Sequence, residues 1–385
     1  MKLILPILLA VAVGARAQNW PHQYKIEPGQ SHFAAEVPEG SYRVTLTFGG
    51  GPKATSTTVK AEARRLMLEE VRTAPGHTDT RSFIVNVRTP ALAAPPENAP
   101  GGTSVRLKGR EIGSPTWDDK LSLEFLGPVS GVREVDIQPV DVPTVYLVGD
   151  STVTDQQAEP AASWGQMLPR FFRADVAIAN HAESGETLKS FITELRLAKA
   201  LSRMKAGDWM IIQFGHNDEK KQWPQTYADP HSTYPAYLRA FIAEARLRGA
   251  TPILVTPTER RNFDASGHVV PSHGDYPDAV RAVAREEKVG LIDLTRMTTT
   301  FYEALGPQRS PLAFNDGGKD KTHHDNYGAY EIARMVASSL VSADPRLAAH
   351  LLPEGRRYDP AKPDPPERFA LPASAEHSEV RPDGS

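Results

Sequence analysis

The sequence contains no cysteine, which excludes disulfide bonds and a lipid-modified cysteine at the start of a mature chain. It also lacks a large excess of either charge. The 44 Lys and Arg residues nearly balance the 47 Asp and Glu residues, and the formal net charge is −3. Nucleic acids and anionic membranes favour basic surfaces. We therefore expect no nucleic-acid partner and no membrane partner.

The first seventeen residues contain a short apolar run with the features of a signal peptide. Lys2 supplies a positive start, residues 3–13 are apolar but too few to span a bilayer, and Ala15 and Ala17 are small residues at a cleavage site. The pattern predicts a signal peptide over residues 1–17 and a secreted or periplasmic protein. The sequence leaves these two destinations open.

Metal-binding patterns are missing as well. The twelve histidines include no pair spaced as His-x-x-x-His beside a carboxylate. We predict no metal and no other cofactor. A chain of 385 residues with 40% hydrophobic residues is long enough for two folded domains with sizeable cores.

Residues 18–142 carry apolar residues at every second position, which is typical of half-buried strands. The alternating sets are Tyr42, Val44, Leu46 and Phe48; Phe83, Val85 and Val87; and Leu121, Leu123 and Phe125. Turn residues separate them, so we predict an antiparallel β-sandwich accessory domain. It could bind sugar through exposed aromatic residues such as Trp117 or Tyr42, or only shield the neighbouring domain. We favour the structural role.

After a short joint at residues 141–143, apolar strands alternate with helical patterns, which is typical of a parallel sheet covered by helices. We predict a three-layer α/β/α domain over residues 143–345. Its strands are expected at 145–148, 176–179, 209–214, 253–256 and 289–292, and two of its helices at 234–248 and 326–340. The remaining residues, 346–385, form a proline-rich C-terminal tail. We expect it to be mobile, or else to wrap the sandwich domain.

A Gly-Asp-Ser turn at the end of the first parallel strand exposes the hydroxyl of Ser151. Serine needs an adjacent base to act as a nucleophile, and histidine needs an acid to hold its tautomer. His323 and Asp320 match these roles, since an acid three residues before the histidine can reach Nδ1 from the same turn. The sequence therefore predicts a catalytic Ser151, His323 and Asp320.

Acyl transfer also requires donors for the oxyanion that develops on the carbonyl oxygen. We assign this role to the backbone N–H groups of Ser151 and Gly185 and to the side-chain amide of Asn217. Asp218 is expected to brace the Asn217 loop. All of these residues follow predicted strands, and parallel sheets bind ligands at that edge.

The residues Ser151, Gly185, Asn217 and His323 are those that name the SGNH hydrolases, also called GDSL esterases. The blocks at 149–153, 180–191, 213–218, 256–261 and 320–329 together resemble the rhamnogalacturonan acetylesterase family within that group, over roughly residues 143–342. The N-terminal stretch resembles galactose-binding-like modules. Thr152 departs from the leucine or isoleucine of many relatives, although threonine is usual in the acetylesterase branch, and His324 has no role that the sequence explains.

The resemblance implies removal of O-acetyl groups from rhamnogalacturonan, so the expected partner is an acetylated plant cell-wall polysaccharide or oligosaccharide. We expect the protein to be a monomer. Trp223, Tyr227 and His231 lie in an insertion after Asn217 and could stack on sugar rings or simply pack their loop. Two alternatives remain. The protein could be an acetylxylan esterase or another ester hydrolase on the same scaffold, or a secreted carbohydrate-binding protein without activity.

Overall fold

The computed structural model describes residues 22–378 and 380–383. The predicted signal peptide, residues 1–17, lies outside the described residues. The described chain forms two regions, an antiparallel β-region followed by an α/β region, which confirms the fold class predicted from the sequence.

The first region consists of two four-stranded antiparallel sheets, ordered β1-β8-β3-β6 and β2-β7-β4-β5. The inward-facing residues Val44, Leu46 and Phe48 are fully buried, as their two-residue spacing predicts. The strands are β1 Gln23–Lys25, β2 His32–Glu36, β3 Gly40–Gly49, β4 Thr55–Ala61, β5 Arg65–Thr73, β6 Thr78–Val87, β7 Lys120–Val129 and β8 Val132–Pro139.

The two aromatic residues considered as sugar ligands in this region are both buried. The hydroxyl of Tyr42 donates to the carbonyl of Pro38 at 2.6 Å, and the indole N–H of Trp117 donates to Glu111 at 2.8 Å. Large amphipathic rings are often buried once their polar atom has a partner. The alternative that Trp117 or Tyr42 is displayed to sugar is therefore excluded, and their burial agrees with the structural role favoured from the sequence.

The second region contains a parallel five-stranded sheet in the order β10-β9-β11-β12-β13. Alternate residues of β9 face opposite sides, with Leu147 in one core and Val148 in the other. This two-sided burial explains why the strands read as continuous apolar runs. The strands are β9 Thr144–Gly149, β10 Ala177–Asn180, β11 Trp209–Gln213, β12 Thr251–Val255 and β13 Gly290–Ile292.

Helices cover both faces of this sheet, in agreement with the predicted three layers. Helices α1, α6, α7 and α8 pack on one face, and α2 to α5 pack on the other. Their bounds are α1 Trp164–Met167, α2 Leu188–Thr193, α3 Arg196–Arg203, α4 Thr233–Leu247, α5 Tyr276–Glu287, α6 Leu294–Arg309, α7 Asn326–Ala343 and α8 Pro345–Ala348. Within the part of the chain that the structure describes, none of the helices combines the length and apolarity needed to cross a bilayer.

Buried ion pairs connect the two regions. Lys60 and Arg64, at the β4–β5 turn, contact Glu159 at 3.2 and 2.7 Å, and Arg65 contacts Asp155 at 2.5 Å. All of these side chains are at most 6% exposed. Charges this far from water are tolerated only when they are paired. The first region therefore holds the segment that follows Ser151.

The C-terminal tail packs on the molecule, which corrects the expectation that it is mobile. The ring of Phe369 lies 5.3 Å from that of Tyr330 on α7. Further along, the hydroxyl of Ser374 donates to Glu124 of β7 at 2.5 Å. The tail thus contacts both regions, because a few aromatic and polar side chains are enough to fix a proline-rich segment whose backbone has little freedom to lose.

Candidate active site

Ser151 lies in the turn that follows β9 and is 1% exposed, so the residue is buried and not exposed as its Gly-Asp-Ser turn predicts. The turn is possible because Gly149 ends the strand without a side chain. A methyl group at Gly149 would lie 2.6 Å from the carbonyl oxygen of Gln213 on the neighbouring strand β11, closer than any real contact. Glycine thus allows the two central strands to approach each other directly below the serine.

A chain of hydrogen bonds braces this turn. The Thr152 hydroxyl donates to Asp150 at 2.8 Å and accepts from the side-chain amide of Gln213, which in turn accepts from the Trp164 indole at 2.9 Å. The Thr152 backbone N–H also donates to Asp150, at 3.0 Å. An aliphatic residue at position 152 would remove the hydroxyl that bonds Asp150 and Gln213, and would leave their buried polar atoms without that partner. Threonine therefore belongs to a polar network here.

His323 bridges Ser151 and Asp320, as the sequence predicts. Its Nε2 lies 2.8 Å from the Ser151 Oγ, and its Nδ1 lies 2.8 Å from Oδ2 of Asp320. The other Asp320 oxygen accepts the backbone N–H groups of Thr322 and His323 at 2.8 and 3.0 Å. The acid and the imidazole are thus oriented within one turn, just before α7.

The Asp320 carboxyl is held in its ionised form. Burial raises the pKa of Asp320, but the hydrogen bond and charge of His323, with the two backbone N–H groups, outweigh it and lower the pKa to about 2. An ionised carboxylate at this place favours the tautomer with a proton on Nδ1. Nε2 is then an acceptor for the Ser151 hydroxyl.

Gly185 and Asn217 present donors near the serine turn. Gly185 has a φ of +78°, a conformation that favours glycine. The Asn217 amide nitrogen donates to the carbonyl of Glu186 at 3.0 Å, which leaves its second hydrogen for another acceptor. Among the residues that the structure describes, the backbone N–H groups of Ser151 and Gly185 have no protein acceptor. These donors remain available to a substrate oxygen.

Asp218 braces the loop that carries Asn217, as expected. One of its oxygens accepts the Leu188 N–H at 2.9 Å, and the other accepts the Gly215 N–H at 3.1 Å. Burial raises the pKa of Asp218 to about 8, although these hydrogen bonds oppose that change. Asp218 therefore links the Asn217 loop to the start of α2.

His324, unexplained by the sequence, has a structural role behind the site. Its Nε2 lies 2.7 Å from the hydroxyl of Tyr302, and its ring packs against Phe314 at 4.6 Å. Burial and the neighbouring His323 lower the pKa of His324 to about 3, so the ring is neutral. No group of three or more metal-ligating side chains occurs among the residues described by the structure.

The three predicted substrate-binding residues do not converge on one place. Trp223 is partly exposed, and Lys220 connects it to the site, because Nζ lies 4.2 Å from the indole centre and donates to Asn217 at 3.0 Å. The Tyr227 hydroxyl lies 3.4 Å from an Asp229 oxygen. His231 is paired with a carboxylate of the α5 N-terminus at 3.1 Å and lines a separate cleft between α4 and α5. Trp223 thus has the most direct link to the site.

Two basic residues of the first region, which no sequence motif indicates, contact the Gly185 loop. Lys108 Nζ donates to the carbonyl of Ser184 at 2.6 Å, and Arg110 Nη2 donates to the same oxygen at 2.7 Å. A methyl group on Gly185 would lie 3.5 Å from the Lys108 Nζ. Lys108 and Arg110 lie in a loop without periodic pattern, and no sequence signal connects that loop to residue 185.

A buried ion pair anchors this loop of the first region. Glu111 contacts Arg196 of α3 at 2.5 Å, and both side chains are at most 1% exposed. The hydrogen bonds and charge of Arg196 lower the pKa of Glu111 although burial opposes them. The loop from residue 108 to 111 is therefore fixed on the second region beside the site.

Comparisons with known proteins show which proteins this chain is similar to. Residues 147–331 match the family described as GDSL-like lipase/acylhydrolase. Two relatives come from Bacillus subtilis (strain 168). The rhamnogalacturonan acetylesterase RhgT is 38% identical over 228 residues, which cover 56% of this chain and 97% of the relative. The probable rhamnogalacturonan acetylesterase YesY is 36% identical over 199 residues, covering 51% of this chain and 91% of the relative.

A solved structure extends the likeness beyond the α/β region. The crystal structure of the YxiM protein of Bacillus subtilis has a TM-score of 0.51 and 26% identity, and the match covers 83% of this chain and 81% of that chain. Since the α/β region alone is much shorter than this share, the match also includes the antiparallel sheets.

Proposed function

The chain belongs to the GDSL-like lipase/acylhydrolase family and is an ester hydrolase, and we propose that it removes O-acetyl groups from rhamnogalacturonan. The observation that carries this proposal is the continuous contact from Asp320 through His323 to the Ser151 hydroxyl, each step at 2.8 Å. Such a contact activates a serine for attack on an ester.

In the acylation step, the Ser151 oxygen attacks the acetyl carbonyl carbon while its proton passes to Nε2 of His323. The imidazolium that forms is stabilised by the ionised Asp320. When the tetrahedral intermediate collapses, the ester C–O bond breaks and the sugar oxygen leaves with the proton from Nε2. The products of this step are the free sugar hydroxyl and an acetylated Ser151.

In the deacylation step, a water molecule gives its proton to His323 and attacks the acetyl carbonyl. The N–H groups of Ser151 and Gly185 and the Asn217 amide stabilise the oxyanion in both steps. One donor of this kind is worth on the order of 10²–10³ in rate. Collapse of the second intermediate returns the proton to Ser151 and releases acetate.

The substrate class rests on the relatives, since the two Bacillus subtilis acetylesterases described above are named for rhamnogalacturonan. A substrate of this kind is a large extracellular polymer, which agrees with the signal peptide predicted over residues 1–17 and with a secreted or periplasmic enzyme. The partly exposed ring of Trp223 contacts Lys220, and Lys220 in turn donates to Asn217. An aromatic face suits stacking on a sugar ring.

The test compares initial rates of acetate release from acetylated rhamnogalacturonan, acetylated xylan and long-chain acyl esters. We expect the first substrate to give the highest kcat/KM, with the Ser151→Ala variant as the blank. A higher value on acetylated xylan or on long-chain esters would reject the proposed substrate. Acetate release equal to the blank on all three would reject the catalytic proposal itself.

A further inference from the structure

A cavity of about 350 Å³ lies beside the serine turn, where both regions and the C-terminal segment meet. Gln156 connects this cavity to the nucleophile. Its amide nitrogen donates to the carbonyl of Ser151 at 2.8 Å and lies 3.5 Å from the Ser184 hydroxyl. The polar and charged lining includes Arg110, Asp155, Gln156, Glu183, Arg381 and Asp383. A group bound in the cavity is therefore one side chain away from the reacting serine.

Arg110 enters this cavity from the first region with a fixed orientation. Its Nε and Nη2 lie 3.0 and 2.7 Å from one oxygen of Glu183, and Nη2 also donates to the carbonyl of Ser184. The remaining nitrogen, Nη1, donates to the carboxylate of Asp383. Buried groups thus hold one edge of the guanidinium, while the other edge faces a carboxylate from the C-terminal segment.

Asp383 is the replaceable partner of this guanidinium. Its side chain is 63% exposed, whereas that of Glu183 is 10% exposed. The other charges that line the cavity already have partners, because Arg65 holds Asp155 at 2.5 Å and Asp316 holds Arg381 at 2.9 Å. An exposed ion pair contributes little to stability, so another carboxylate can displace Asp383 at small cost.

The raised pKa of Glu183 also favours the binding of a second anion to Arg110. Burial and the neighbouring Glu111 raise the pKa of Glu183 to about 7, against the effect of Arg110. The neutral form of Glu183 is therefore favoured more than that of an ordinary carboxyl. Asp383, or a group in its place, then contributes to the counter-charge of Arg110.

We propose that this cavity is a subsite for the carboxylate of a uronic acid unit in the substrate, bound by Nη1 of Arg110. Asp383 takes the place of that carboxylate in this structure. The proposal rests on the proposed function, since rhamnogalacturonan contains galacturonic acid beside the rhamnose units. The Nη1 group of the guanidinium suits a carboxylate, because its N–H groups donate charge-assisted hydrogen bonds.

The location of Asp383 agrees with a substrate subsite. A methyl group on Gly185 would lie 3.5 Å from the Cβ of Asp383. A carboxylate at this place would therefore adjoin a predicted oxyanion donor and lie close to the position of the acetylated sugar. Arg110 would then select for charged polysaccharides, although it belongs to the region without the nucleophile.

The test measures binding without turnover, by calorimetry on the Ser151→Ala variant. The ligands are a rhamnogalacturonan oligosaccharide and the same oligosaccharide with its uronate carboxyls reduced to alcohols. We expect the charged ligand to bind about 10-fold more tightly. This factor lies at the lower end of the range for a hydrogen bond to a charged group, because Arg110 is 37% exposed. Equal affinity for the two ligands would overturn the proposal.

Second substitutions in the same background assign the effect to particular residues. Arg110→Gln should abolish the preference for the charged ligand, and Asp383→Asn should strengthen binding of that ligand severalfold by removing the competing carboxylate. Arg309→Gln is the matched control, because Arg309 pairs with Glu367 on the exposed surface, and it should keep the preference. An equal loss for both ligands in Arg110→Gln would mean that Arg110 only positions Ser184. An unchanged affinity in Asp383→Asn would refute the role of Asp383.

A turnover measurement separates this subsite from the proposed function. This measurement uses the acetylated forms of both oligosaccharides. If the unsubstituted enzyme releases acetate from the charged and the reduced form with equal kcat/KM, the subsite is rejected and the esterase proposal stands. If it releases no acetate while the Ser151→Ala variant still prefers the charged ligand, the esterase proposal fails and the carboxylate subsite stands.

Discussion

The two regions of this protein place their charged residues differently. In the α/β region, the polar residues of the site lie at the ends of strands, and Ser151, Gly185 and Asn217 all follow strands of one parallel sheet. In the β-region, the charged residues that contact the other region lie at the adjoining ends of β4 and β5, in the turn between them and in the segment at residues 108–111, and they form buried ion pairs. One region carries the proposed reacting groups, and the other contacts the segments beside them.

This difference shows that an accessory region can contribute to a site without displaying a binding surface of its own. Tyr42 and Trp117 are buried, whereas Arg65, Lys108 and Arg110 contact the segments after Ser151 and before Gly185. Substitutions in each region can separate the contribution of the α/β region to the site from that of the β-region.

The largest effect is expected in the region that reacts. Ser151→Ala removes the attacking oxygen, so kcat for p-nitrophenyl acetate should fall by about 10⁴-fold or more. The thermal unfolding midpoint should stay close to that of the unsubstituted protein. Ser342→Ala, at an exposed position of α7, should leave kcat unchanged. Near-normal turnover of the Ser151 variant would contradict the catalytic assignment.

The next effect concerns the acid. Asp320→Asn should reduce kcat by on the order of 10³–10⁴-fold, because an amide no longer favours the Nδ1-protonated tautomer or stabilises the imidazolium. Rates are measured with p-nitrophenyl acetate at neutral pH. A loss below 10-fold would mean that another group orients His323.

The same substitution has a stability signature with a defined sign. The folded pKa of Asp320, about 2, lies below its usual value of 3.8, so ionised Asp320 stabilises the fold above pH 3.8. That stabilisation is lost as pH falls from 3.8 to about 2. Urea unfolding should show a smaller loss of stability over this pH range in Asp320→Asn than in the unsubstituted protein. Identical acid dependence would contradict the ionised carboxylate.

A smaller effect is expected for the oxyanion donor. Asn217→Ala removes one donor and should lower kcat by about 10²–10³-fold, with a much smaller change in KM, since the contact forms mainly in the transition state. Comparison with Asn217→Asp, which keeps the side-chain shape but removes the amide donors, isolates the hydrogen bond. Full activity in either variant would remove Asn217 from the site.

The smallest effect on activity is expected from the contact between the two regions. Glu111→Gln removes one of the three carboxylates that contact the buried Arg196, and should destabilise the protein by about 3 kcal/mol in urea unfolding. Activity should fall only severalfold, through displacement of the 108–111 loop. Glu367→Gln, in an exposed pair, is the control and should change stability by less than about 1 kcal/mol. Equal stability of both variants would mean that the regions are not coupled through this pair.

The residues of the site could be predicted because their positions follow from local rules. Ser151, Gly185 and Asn217 each follow an apolar strand, and the carboxyl ends of parallel strands meet at one edge. Asp320 and His323 lie within one turn, so their contact needs no tertiary information. The alternating residues of β3, β6 and β7 similarly predict two-sided antiparallel sheets.

Other contacts could not be predicted, because they join residues that no periodic pattern connects. The tail was expected to be mobile from its composition, yet Phe369 and Ser374 find partners on α7 and β7. His231 is an aromatic residue near Asn217 in sequence, but its loop carries it to a cleft between α4 and α5. Composition and sequence distance describe a segment alone and do not include its neighbours in space.

The amino-acid sequence by itself determined the order of strands and helices, the two fold types and the contact of Asp320 with His323, because these depend on short-range periodicity and turn chemistry. Only the tertiary structure decided that Lys108 and Arg110 reach the Gly185 loop, that Tyr42 and Trp117 are buried, and that Asp383 lies on Arg110. The physical reason is that burial and ion pairing depend on which distant segments meet, and that depends on the packing of the whole chain.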